Sequence, residues 1–118
     1  MDGISFNQKG RLALNFDALN GEYRIGRPRV NWFQDRYQMT FTFSNFDGVV
    51  NSGFAYSEDG KIWTRDDLSL GITPSTSGWD SESINYPYQI TAGDHTYLFY
   101  CGKNLGIEGF GCARFQPQ

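Results

Sequence analysis

The strongest constraint in this sequence is an internal repeat. A run carrying a proline, a polar turn, an aromatic strand and a Gly-x-Ala run occur twice in the same order. In the first copy they are Arg27 to Phe33 with Pro28, Gln34-Asp35-Arg36, Tyr37 to Ser44, and Gly53-Phe54-Ala55-Tyr56. In the second they are Ile84 to Ile90 with Pro87, Thr91-Ala92-Gly93-Asp94, Thr96 to Cys101, and Gly111-Cys112-Ala113-Arg114. Each unit is a meander of short strands that leaves a face bare by itself, so the copies must stack.

The periodicity within the units is that of strands. Tyr37, Met39, Phe41 and Phe43 alternate with polar residues and define one buried face. Aromatics make up 17% of the chain and there are 14 glycines, a mixture that suits pleated surfaces and tight turns. The run from Tyr97 to Cys101 is apolar on both faces, which predicts cover from both sides. Lys61-Ile62-Trp63 completes four strands in the first unit, and the chain stops where the second would need its fourth. The expected fold is all-β, with two antiparallel β-propeller-like blades, in one domain over 1–118. An irregular strand region covers 1–26 and includes a short strand around Leu12, Leu14 and Phe16. The first blade covers 27–70 and the second, incomplete blade 79–118.

Charge and composition exclude several functions. The net charge is −3 and the ten basic residues form no run, so phosphate neutralisation of nucleic acid has no support. No apolar run is long enough to span a membrane. Met1-Asp2-Gly3-Ile4-Ser5 lacks the basic and apolar regions of a signal peptide, which gives a cytoplasmic expectation. His95 is the single histidine and stands without ligand spacing, so no metal site and no cofactor are expected. Cys101 and Cys112 fall on strands expected to pair, and two free thiols are favoured over a disulfide.

Ser57-Glu58-Asp59-Gly60-Lys61-Ile62-Trp63 is a hairpin signal: Asp59-Gly60 sets the turn, Ser57 bonds across it, and Trp63 packs back. Gly78-Trp79-Asp80-Ser81-Glu82 then leads from polar turn residues into the aromatic run Tyr86-Pro87-Tyr88. Carboxylates before inner-type strands suit acid–base work on glycosides, where two carboxyl groups are required. Asp80, Glu82 and Glu22 are the candidates. An extended Asp80-Ser81-Glu82 places two of them on one side. Solvated loop carboxylates or caps are the competing assignment. Flat rings and planar hydrogen-bonders suit a sugar surface, which singles out Trp79, Asn85, Tyr86, Tyr88, Arg27 and Asn104. Trp79, in a Gly-rich polar loop, is the ring expected to be exposed.

With Tyr97-Leu98-Phe99-Tyr100 and Gly109-Phe110-Gly111-Cys112-Ala113, these segments resemble the five-bladed β-propeller superfamily of glycoside hydrolases. That superfamily includes arabinanases, β-xylosidases and levansucrase- or invertase-like enzymes. The hairpin at Asp59-Gly60 is similar to an Asp-box with one residue fewer between Asp and Gly. Family domains run to about 300 residues, so this chain matches about two of five blades. The first-blade catalytic aspartate has no counterpart, and the loop after the second strand reads Cys101-Gly102-Lys103-Asn104-Leu105-Gly106. The resemblance implies a carbohydrate-binding or scaffold module without a full catalytic set, taking a sugar or polysaccharide ligand. The alternative it implies is a glycosidase whose site is completed between subunits. Two blades leave broad faces uncovered, which predicts a homo-oligomer of two or three chains.

Overall fold

The computed structural model describes Phe6 and residues 9–117. Seven strands form two antiparallel sheets. β1 (Glu22–Phe33), β2 (Arg36–Asn45), β3 (Val50–Ser57) and β4 (Thr64–Arg65) make the first, in that order. β5 (Asn85–Ala92), β6 (His95–Cys101) and β7 (Phe110–Arg114) make the second. Three short 3-10 turns are the helical segments among the described residues, and none of them is long and apolar enough to cross a membrane. The architecture is the expected partial, propeller-like all-β fold. Met1-Asp2-Gly3-Ile4-Ser5, the segment read for a signal peptide, lies outside the described residues.

Strand ends differ from the expectation where tertiary contacts override local pattern. β1 starts at Glu22 rather than near Arg27, because Ile25 packs on the core and Glu22 is held by an ion pair. β4 begins at Thr64, since Lys61 and Ile62 donate their backbone N–H groups to Asp59 Oδ1 within the turn. Leu12, Leu14 and Phe16 form no strand: the segment crosses the first sheet as a loop, with Leu14 against the core.

The two faces of the first sheet have different chemistry. Met39, Phe41 and Ala55 form the buried apolar cluster, covered by Leu14, Ile25, Phe43 and Trp63. Phe41 is 1% exposed and fills the space that a side chain at residue 53 would need; a Cβ on Gly53 would come within 2.3 Å of its ring. On the opposite face Gln38, Thr40, Thr42 and Ser44 are buried too, and this polar face meets the second sheet. The Thr40 hydroxyl donates to the Pro87 carbonyl at 3.0 Å and the Ser52 hydroxyl donates to the carbonyl of Ile84. These bonds satisfy backbone groups released by the irregular start of β5.

The second sheet is covered on one side. Thr96 and Tyr100 are buried, whereas Phe99, Ile90 and Phe110 are exposed. Expected cover on both faces of β6 is therefore absent in this chain, because no third sheet stands beyond it. Cys101 pairs with Phe110 and Cys112 with Phe99, so the two thiols sit diagonally across the ladder and are free.

Candidate functional site

The repeat in sequence becomes a repeat in geometry at two facing bulges. β1 loses register with β2 between Gly26 and Arg29, and β5 loses register with β6 between Asn85 and Tyr88. In each, the residue before the proline takes a left-handed backbone: Arg27 at φ 54° and Tyr86 at φ 53°. Residues before proline are held away from the helical region, and a bulge re-aims a side chain out of the pleat. Arg27 and Tyr86 consequently meet, with the guanidinium carbon 4.2 Å from the ring centre. Two residues on, Arg29 lies 5.6 Å from the Tyr88 ring. The inner strands are thus linked by two Arg–Tyr contacts in series.

Beside the first contact is a cleft of about 210 Å³, lined by Arg24, Arg27, Thr42, Ser44, Val50 and Tyr86. Arg24 Nε donates to Ser44 Oγ at 2.9 Å. A wider cleft of about 820 Å³ opens elsewhere between the sheets, lined by Phe33, Gln38, Phe54, Leu98 and Phe115 among others, and none of the candidate residues lines it.

The Gly78-Trp79-Asp80-Ser81-Glu82 segment is a turn, closed by the Ser81 N–H donating to the Gly78 carbonyl at 3.3 Å. The extended arrangement expected for Asp80 and Glu82 is therefore corrected. Asp80 points inward, 8% exposed, and accepts a hydrogen bond from the Tyr100 hydroxyl at 3.2 Å, while Glu82 is exposed. Burial, then the bond to Asp80 and its charge, push the Tyr100 phenol above its ordinary value.

Trp79 is a packing residue rather than an exposed platform. Its ring stacks on Tyr100 at 5.3 Å and 18°. It rests against Gly111, where a Cβ would come within 2.7 Å of the indole. Gly102 lies under the Trp79 carbonyl, and a Cβ there would come within 2.1 Å of it. The Lys103 N–H donates to that same carbonyl at 2.9 Å. Two glycines far along the chain create the slot that the surrounding polar loop does not announce.

Asn85 is fully buried; its amide donates to Ser83 Oγ and the Gly102 carbonyl, both at 3.1 Å, and its Oδ1 has no partner among the described residues. Its position fixes the start of β5. Asn104 is exposed on a 3-10 turn with φ 55°.

Glu22 belongs to a different layer. It accepts both terminal nitrogens of Arg65, at 2.7 and 2.9 Å, and the Asp17 N–H at 2.7 Å. Arg65 also bonds Asp67 and lies over Phe41 and Phe43. Burial opposes the charge on Arg65, but hydrogen bonds to Glu22 and Asp67 outweigh it and hold the guanidinium above its ordinary value. This cluster occupies the Phe41 face, while the Asp80 segment is on the side of the second sheet. The three candidate carboxylates are not brought together. Sequence reasoning also missed Arg24 and Thr42, which lie on strand positions that read as ordinary sheet surface. Among the described residues, no group of three His, Cys, Asp or Glu side chains is arranged as metal ligands.

No family model matches the chain. Two relatives from Mycobacterium tuberculosis, "Uncharacterized protein Rv1502" (strain H37Rv) and "Uncharacterized protein MT1551" (strain CDC 1551), are each 37% identical over 112 residues. The match takes in 95% of this chain and 36% of either relative, so the chain spans about a third of their length. Among solved structures, one described as "Glycoside hydrolase" superposes with a TM-score of 0.58 at 26% identity, covering 80% of this chain and 28% of that one. Another, a BT0996 complex with RGII, gives 0.58 at 27% identity, covering 79% and 27%. With the two bulged sheets described above, these similarities make the chain a glycoside hydrolase-like all-β module.

Proposed function

We propose that this chain is a carbohydrate-binding module made of two blades of a glycoside hydrolase-like β-propeller. The observation that carries the reading is the pair of facing bulges, which directs Arg27 and Tyr86 toward each other at the inner strands. An aromatic face beside a planar multiple donor is a suitable surface for a sugar ring and its hydroxyls. Arg29 and Tyr88 extend that surface by a second rung. Asn85 and Trp79 support it from below, one anchoring β5 and the other packing the adjoining loop.

Placement of the carboxylates favours binding over hydrolysis by this chain alone. Hydrolysis needs two carboxyl groups about 5 to 9.5 Å apart across one substrate. Asp80 is engaged by Tyr100, Glu82 stands in solvent, and Glu22 is on the far face of the first sheet. The deciding experiment is a glycan-array screen paired with an aryl-glycoside panel, on wild type and Glu82→Gln. Glycan binding with no turnover supports the module. Turnover abolished by Glu82→Gln replaces it with a glycosidase whose site is shared between chains.

A further inference from the structure

The small cleft beside Arg27 has a charge character that sugar binding in general does not require. Arg24 and Arg27 both line it, in a chain whose net charge is −3. Among the described residues the ion pairs within 4 Å involve Arg65 and Lys103, so neither arginine of the cleft has a carboxylate partner. Arg24 directs one nitrogen at Ser44, and the Arg27 guanidinium makes no hydrogen bond within the described residues. Stacking on Tyr86 uses the face of that guanidinium. Its N–H groups lie in the plane, so the rim stays available as a fork for two oxygens.

The base of the cleft carries a second unsatisfied group. Thr42 is 8% exposed, and its hydroxyl has no hydrogen-bond partner among the described residues. Buried polar groups without partners are costly, and one at a cleft that two arginines line marks a place where a bound group or water completes the network. The volume of about 210 Å³ equals that of about seven waters at ~30 Å³ each, room for one charged ring rather than a chain.

We infer that this cleft binds an oxyanion, through Arg27 and Arg24, with Tyr86 as the apolar wall; its natural bearer is an acidic monosaccharide unit. This rests on the carbohydrate-binding reading and adds the substrate class to it. Carboxylate and phosphate share the chemistry, and the experiment separates them.

Isothermal titration of the whole chain with methyl β-glucuronide, glucose 6-phosphate, inorganic phosphate and neutral methyl β-glucoside tests the assignment. At least one sugar acid should bind ten-fold or more tightly than the glucoside and weaken as salt is raised. Arg27→Gln and Arg24→Gln should each reduce that affinity at least ten-fold, with Arg27→Lys intermediate because it keeps the charge and loses the fork. A Tm within a few degrees of wild type confirms that these variants fold, and Thr42→Val, isosteric at the base, provides a further folded variant with reduced affinity. Equal affinity for glucoside and acids, or affinity untouched in both arginine variants, overturns the oxyanion site while leaving the carbohydrate module standing. Inorganic phosphate binding as tightly as both sugar acids keeps the oxyanion site and removes the carbohydrate reading. Failure of every anion to bind overturns the inference.

Discussion

Arg27 and Tyr86 occupy equivalent positions in two copies of one structural unit, and their side chains meet 4.2 Å apart. Each stands before a proline, in a left-handed backbone, at the bulge of an inner strand. The contact is therefore a product of duplication: the same local irregularity, used twice, aims one cation and one ring at a common point. An exposed cation–π pair contributes only about 0.5–1 kcal/mol. Arg27→Ala should accordingly lower Tm by a few degrees at most while removing most of the glycan affinity. Differential scanning calorimetry beside titration checks both halves.

Trp79 depends on the absence of side chains at residues 102 and 111. Gly111→Ala should cost about 1–3 kcal/mol through overpacking against the indole. Gly102→Ala should cost more, because its Cβ meets the Trp79 backbone carbonyl, which cannot rotate away. Urea unfolding measures the difference, and a red shift of tryptophan emission reports the displaced ring.

The Glu22–Arg65 pair is part of the scaffold. Arg65→Ala leaves a carboxylate that is 5% exposed without its partner and should cost about 3–5 kcal/mol. Glu22→Gln keeps the shape and should destabilise while leaving glycan affinity unchanged. Loss of affinity without loss of stability in that variant would return Glu22 to the binding site.

Asp59 gives the chain an acid-side stability limb. N–H groups of Ile62 and Lys61, with the Ser57 hydroxyl, hold its carboxyl down at about 2. A carboxyl lowered on folding stabilises above its unfolded value near 4, and that contribution disappears as pH falls toward 2. Asp59→Asn should flatten the decline in Tm between pH 4 and 2 and lower Tm slightly at pH 7. A pH series of thermal melts on both proteins reads this directly.

Thr42→Val should be neutral or stabilising, unlike most substitutions at a buried site, because it removes a hydroxyl that has no partner among the described residues. The midpoint of urea denaturation, compared at equal slope, is the measure.

Much of this architecture was legible in the sequence because strands advertise themselves by alternation and turns by Asp-Gly pairs. Tyr37 to Ser44 fell in β2 and the Asp59-Gly60 hairpin formed as read, with Ser57 Oγ accepting the Gly60 N–H at 2.9 Å. The alignment of Pro28 with Pro87 matched the two strands in which the bulges form. What stayed hidden depends on partners remote in the chain. Trp79 looked exposed from its neighbours, and only Gly102 and Gly111 make it a core ring. Glu22 looked like a free carboxylate until Arg65, 43 residues later, claimed it. Asp80 and Glu82 diverge because Gly78 closes a turn, and alternation holds only for extended chain.

The bulges also bear on how the molecule behaves in a crowded solution. β1 and β5 are outer members of their sheets, and a regular outer strand is a template to which another chain can add. Arg27-Pro28 and Tyr86-Pro87 break that template by removing a donor and twisting the backbone out of register. β4 is two residues long and offers little to pair with. β7 alone, Phe110–Arg114, is an unblunted outer strand without proline, and next to it lies the exposed apolar face of β6. The geometry that shapes the cleft thus guards the inner margins of both sheets against fibre-like growth and leaves the margin at β7 as the place where aggregation would begin.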